Sequence, residues 1–136
     1  MKSPLVFIML SIILSWVGCT PKYAAVEFGQ GGGMTDKFQT YVVNDSGELF
    51  GKADKNSEPQ LIRQLDNSEL KTIYKKLKAA DIANLDIDTP DNVYQFIEVK
   101  NAEGNSVNKV IWGKPDGKLT IELADLYNYL MDIAKK

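Results

Sequence analysis

The chain has 136 residues, 44% hydrophobic and 25% charged, the profile of an ordinary folded protein with room for one domain and hardly two. Sixteen basic and eighteen acidic side chains leave a net charge of −2, so no cationic excess is available to neutralise phosphates and nucleic acid is not an expected partner. With no His and a single Cys, the chain lacks the means for Ser-His-Asp or Cys-His catalysis, an imidazole metal ligand, an internal disulfide, a CxxC redox pair or a cysteine zinc site. No cofactor is expected.

Residues 1–18 read as a signal peptide. Lys2 supplies the positive start, and Leu5 to Val17 is an apolar run broken by Ser11 and Ser15. Those residues span roughly 20 Å as helix, short of the ~30 Å hydrocarbon core, so the run is an h-region and not a spanning helix. It ends in Val17-Gly18-Cys19, which resembles the lipobox of bacterial lipoproteins, with Trp16 standing where Leu is usual. The resemblance implies that Cys19 is acylated on sulfur, as by palmitate, and becomes the first residue of the mature chain. Several acyl chains hold a protein stably at a bilayer where one binds marginally. The membrane is then a partner through the anchor, and residues 19–22 are a short tether to a single domain over 23–136. Ordinary signal cleavage, or an uncleaved short anchor, with Cys19 incidental, is the alternative.

Within the domain, Tyr23 to Phe28 reads as a first strand with Ala24, Val26 and Phe28 on one face. A glycine-rich connection follows at Gly29 to Thr35. Phe38 to Val43 and Glu48 to Lys52 form a hairpin about Asn44-Asp45-Ser46-Gly47, and Ala53 to Pro59 is loop. Asp66 and Glu69 have capping-box spacing, flanked by Leu65 and Leu70 as a hydrophobic staple. Leu70, Ile73, Tyr74 and Leu77 then follow i, i+3, i+4, i+7 and predict a helix. The acidic stretch from Asp81 to Asn92 reads as connecting chain, with Pro90 preventing regular pairing. Val93 to Lys100 and Val107 to Trp112 form a second hairpin. After Pro115-Asp116-Gly117, a second helix runs from about Thr120 to Ala134, with Leu119, Leu123, Leu126, Tyr127, Leu130 and Ile133 as its apolar face. The order β, ββα, ββα predicts the α+β class: an antiparallel sheet of four to five strands with two helices packed on one face.

Candidate sites are few. Gly31, Gly32 and Gly33 can expose consecutive N–H groups as an anion-binding concavity, with Thr35 adding a hydroxyl; a bent connection between strands is the commoner role. The segment lacks the GK[ST] of a phosphate loop, and a strand follows it. Tyr94 and Phe96 share a strand face with Glu98 and Lys100, opposite Val93, Ile97 and Val99. If the aliphatic face is core, these aromatics suit a protein or glycan partner, although packing against a helix is the commoner fate. Ser68 to Lys71 and Ser106 to Lys109 match SxxK by chance, without SDN or KTG. Asp81, Asp86, Asp88 and Asp91 lack calcium-loop spacing and read as a solvated loop. Lys71, Lys75, Lys76 and Lys78 either face anionic lipid headgroups near the tether or form the wet side of an amphipathic helix.

Phe28 to Thr35, with Tyr41 and the stretch from Asn92-Val93-Tyr94 to Trp112-Gly113, resembles small uncharacterised lipoproteins of Bacteroidota-type bacteria that share an FGxGGGxT-like segment and a similar hairpin-helix order. The resemblance covers most of residues 19–136 and implies a bacterial cell envelope, with the outer membrane favoured. It supplies no catalytic residue. The expectation is a lipid-anchored envelope protein with a non-catalytic binding or interaction module that meets an envelope protein or glycan. The alternatives are a small glycan hydrolase using a carboxylate pair, which the sequence does not locate because the pairing is spatial, and a purely structural envelope component.

Overall fold

The structure, a computed structural model, describes residues 23–33, 38–54, 56–113 and 118–136. The signal peptide, Cys19 and its tether, Thr35, and the turn at 115–117 lie outside the described residues. The strands in chain order are β1 (Ala25–Gly32), β2 (Gln39–Asn44), β3 (Glu48–Lys52), β4 (Gln60–Gln64), β5 (Asp88–Thr89), β6 (Val93–Lys100) and β7 (Ser106–Trp112). Helix α1 is Asn67–Ala80 and helix α2 is Ile121–Ala134. The class is α+β.

Both expected hairpins form, each closed by an asparagine that bonds its own turn. Asn44 Oδ1 accepts from the backbone N–H groups of Ser46 and Glu48 between β2 and β3. Asn101 Oδ1 accepts from Glu103 and Asn105 between β6 and β7.

The sheet has seven strands in the order β4-β3-β2-β1-β6-β7-β5, which corrects the expectation of four or five antiparallel strands. β5 pairs in parallel with β7, Asp88 against Ile111 and Thr89 against Trp112. Two residues of ladder show no hydrophobic period, and Pro90, lacking an N–H, follows them directly. β4 was unmarked for a different reason. It is an edge strand with a bulge opposite Leu49 and Phe50, and its Leu61 and Ile62 are exposed at 58% and 46%, so no alternation betrays it. The third correction is β1 itself, which runs on through Gly32 where the sequence suggested a loop from Gly29.

Both helices start as their sequences dictate. The Asp66 carboxylate accepts from Glu69 N–H at 2.8 Å while the Glu69 carboxylate accepts from Asp66 N–H at 3.1 Å, completing a capping box. The Thr120 hydroxyl accepts from Leu123 N–H at the start of α2. Ile73, Leu77 and Ala80 of α1 and Leu123, Leu126, Leu130 and Ile133 of α2 are buried with Val26, Phe28, Val43, Leu49, Ile97, Val99 and Val110 of the sheet in one core. Each of the Val, Leu, Ile and Phe side chains among them contributes about 1.5–3 kcal/mol through the apolar area it removes from water. The helices run antiparallel, joined by ion pairs between Lys76 and Asp125 and between Lys136 and Glu69.

Chain connections place the two helices along the sheet. Leu65 N–H donates to Gly47 O just before α1, and Asn108 Nδ2 donates to Ile82 O and Leu85 O just after it. Gly47 and Asn108 both belong to the end of the sheet at which Tyr23 enters. α1 therefore crosses that end. α2 lies farther along the strands, where Tyr127 Oη donates to Gly29 O, midway along β1, at 3.2 Å.

Arg63 ties edge strand to helices. Its guanidinium meets Glu69 in a two-pronged contact at 3.1 and 2.8 Å and also donates to Ile133 O in the last turn of α2. The Arg63 fork, supported by the Asp66 N–H, holds the Glu69 carboxyl below the ordinary value of 4.5 against the opposing effect of desolvation. Because the folded value lies below the unfolded one, this stabilisation is present above pH 4.5 and is lost as pH falls through the lowered folded value. In urea unfolding, Arg63→Ala is expected to cost about 1–3 kcal/mol near neutral pH. Below pH 4.5 the wild-type protein should lose stability more steeply than Glu69→Gln; equal acid slopes would remove the ion pair from the account.

Candidate functional site

Strand alternation sends Val26 and Phe28 of β1 toward the helices and leaves Glu27, Gly29 and Gly31 on the other face. On β6, Ile97 and Val99 are fully buried in the helix-side core, so Tyr94, Phe96, Glu98 and Lys100 share the opposite face with the glycines. The register joins the two sets directly. Gly29 faces Phe96, Gly31 faces Tyr94, Gly32 faces Val93, and Glu27 faces Glu98. Both described helices lie on the other side of the sheet, so the glycine segment and the aromatic pair, separate in the sequence, form one surface on its helix-free face.

The missing side chains are what the surface is built on. A Cβ at Gly31 would lie 2.7 Å from the Phe38 ring and 2.8 Å from Tyr94 Oη. Two aromatic side chains thus converge on the bare backbone of the central strand, one from each side, and fill the space a side chain would take. Phe38 was not among the residues singled out. Its one signal is that it immediately precedes β2, the strand paired beside the glycines. At Gly29 the constraint is backbone against backbone, since a Cβ there would stand 1.8 Å from Gln39 O. Tyr127 reaches Gly29 from the core side and lies edge-on to Trp112, ring centroids 5.2 Å apart. Burial, with a smaller effect of Tyr41, pushes the Tyr127 phenol up to about 12, so it stays a neutral donor at physiological pH.

Two sequence expectations are corrected by this arrangement. Gly31 and Gly32 are strand residues in ladder with β6, and Gly33 N–H donates to Asn92 O at 2.6 Å; the segment is strand, not loop, as far as Gly32, and its later residues 34 and 35 lie outside the described residues. Tyr94 and Phe96 do not pack against a helix. Phe96 is nevertheless only 6% exposed; its cross-strand neighbours are Gly29 on β1 and Ile111 on β7, and Lys109 Nζ lies 5.0 Å from its ring centroid.

Beside the aromatics lies a row of charge. Glu27, Glu98 and Lys109 are direct cross-strand neighbours, and like charges directly opposite are unfavourable unless compensated. Lys100 Nζ supplies compensation, donating to Glu27 Oε2 at 2.8 Å. The hydrogen bond to Glu27 raises the Lys100 pKa above 10.5, aided by the charges of Glu27 and Glu98 and opposed by desolvation.

No protein-family model matches the chain, and no curated protein is significantly similar to it.

The remaining sequence candidates stay apart from this surface. Ser68 lies on the exposed side of α1, and Ser106 is exposed at the start of β7. Asp81, Asp86, Asp88 and Asp91 are exposed along the connection between α1 and β6. Among the described residues no group of three or more carboxylate or thiol side chains is gathered in a metal-binding cluster.

The two glycines should respond differently to Ala. At Gly31 the obstructing atoms are ring ends that can turn aside, so Gly31→Ala should cost about 1–3 kcal/mol and expose Tyr94. At Gly29 the obstruction is a carbonyl of the neighbouring strand, and Gly29→Ala should cost more than about 3 kcal/mol or prevent folding. Urea unfolding followed by tyrosine fluorescence measures both; equal losses would contradict the steric account.

Proposed function

We propose that this protein is a bacterial cell-envelope lipoprotein, anchored through acylated Cys19, whose domain is a non-catalytic interaction module. The observation that carries the module is the aromatic and charged surface on the helix-free face, built from half-buried Phe38 and Tyr94 over Gly31, with buried Phe96 beside them and Glu98 and Lys109 next to it. Flat rings next to charged groups suit an envelope protein or glycan, which offers apolar faces edged with hydroxyl or amide groups. Its position supports the reading. The tether enters at Tyr23, and β1 carries the chain from Ala25 to Gly32, about 23 Å at a strand rise of ~3.3 Å, so the aromatic end lies away from an anchor at Cys19. No helix among the described residues is long and apolar enough to cross a membrane.

Among the described residues, Glu27 opposite Glu98 favours a glycan hydrolase. A hydrolytic pair needs one carboxyl that carries a proton to the leaving group. Here Glu27 is engaged by Lys100 on a strand face, an arrangement better suited to holding a ligand than to cleaving it.

Cys19→Ala should release the protein from the membrane fraction or leave it at precursor size, read by fractionation and intact mass. Mature-size protein still in the membrane would overturn the anchor. New reducing ends released from envelope glycans by purified protein, and abolished by Glu98→Gln, would overturn the non-catalytic reading.

A further inference from the structure

The lysines of α1 acquire a specific placement in the fold. Leu70, Ile73 and Tyr74 of α1 lie against Tyr23, Ala24 and Asn44, lining one hollow with them, so the helix covers the point where the tether joins the domain. Lys71 adjoins Leu70, and Lys78 lies one turn beyond Tyr74. Lys71, Lys75 and Lys78 are spaced i, i+4, i+7 and are all exposed. Lys71 and Lys75 form a shallow open depression with Ser68 and Thr72. Lys76 is set apart from them: it pairs with Asp125 of α2 and lies 5.4 Å from the Tyr129 ring centroid. The four lysines that the sequence offers as one run are thus divided by the fold, one spent on the helix pair and three left facing outward.

We infer that the Lys71, Lys75 and Lys78 face of α1 rests on an anionic lipid surface and sets the orientation of the anchored domain. This rests on the acylation of Cys19 proposed above. From Cys19 to Tyr23 the chain can extend no further than about 14 Å, while α1, with its 14 residues, is about 21 Å long. A domain held that close brings the helix beside its attachment point within the range where basic side chains feel the negative potential of a bilayer, which falls off within a Debye length. Lys22 adds a fourth positive charge in the tether itself. Among the described residues, Asp45, near Tyr74, and Asp81, which caps the C-terminus of α1, border this face; the three lysines outnumber them. With α1 against the membrane, the helix layer faces the lipid and the aromatic sheet face points away from it.

The test uses the full acylated protein reconstituted in vesicles of phosphatidylcholine alone or mixed with phosphatidylglycerol, with lysine acylation read by peptide mass spectrometry. Labelling of Lys71, Lys75 and Lys78 should slow by about threefold or more in the anionic vesicles and recover at high salt. Labelling of Lys52 and Lys109, on the sheet face, should be the same in both. Lys75→Glu, a surface change that leaves the core intact, should remain in the vesicles and weaken the protection of Lys71 and Lys78. Equal labelling of the three lysines in both vesicles, with acyl chains present on Cys19, would overturn this inference alone. Absence of acyl chains on Cys19 would remove the anchor and this inference together.

Discussion

Residues 29 and 31 of the central strand have no side chains, and that gap governs both faces of the sheet. On the helix side, Val26 and Phe28 of the same strand are buried beneath the helices, and Tyr127 reaches down to the carbonyl of Gly29. On the other side, Phe38 and Tyr94 converge over Gly31, and Phe96 settles beside Gly29. Strands normally avoid interior glycine because it contributes nothing to packing and is costly to order. Here neighbouring strands supply the missing packing, and the result is a close-set aromatic group on a face that neither helix covers.

The helices and hairpins were legible in the sequence because their signals are local. Asp66 and Glu69 satisfy each other's backbone within one turn, the apolar stripes of both helices have the helical period, and Asn44 and Asn101 close their turns through their own side chains. The features that were not legible depend on partners distant in the chain. β4 is half-exposed and bulged, so nothing in Gln60 to Gln64 alternates. β5 exists only because Ile111 and Trp112 are there to pair with it. The glycine segment read as loop because the rings that complete it, Phe38 and Tyr94, come from other strands. The candidate surface was therefore visible as two unrelated fragments, Gly31 to Gly33 and Tyr94 with Phe96. Register alone unites them, and register is set by the alternation of Val26, Phe28, Ile97 and Val99. Arg63 was silent for the same reason: its value lies in reaching Glu69 and Ile133 at once.

The domain has two ends with different chemistry. At the end where the tether joins, α1 presents its lysines beside Tyr23. At the other, glycines meet the rings of Phe38 and Tyr94, and the charged row of Glu27, Glu98, Lys100 and Lys109 lies between them and the tether end. Under the anchor and binding role proposed above, this polarity would separate attachment from the proposed binding surface along the length of one strand. Little needs to move for such a module to work, since the surface is assembled by sheet hydrogen bonds that also hold the core.

The most direct measurement is site-specific photo-crosslinking in living cells, with a photoreactive aromatic residue placed at Tyr94 or, as a control, at exposed Asp132 of α2. One reproducible adduct with an envelope protein or glycan is expected at position 94, absent at position 132 and reduced by Lys109→Ala. The same adducts at both positions, or none at position 94, would contradict the assignment of the helix-free sheet face as the binding surface.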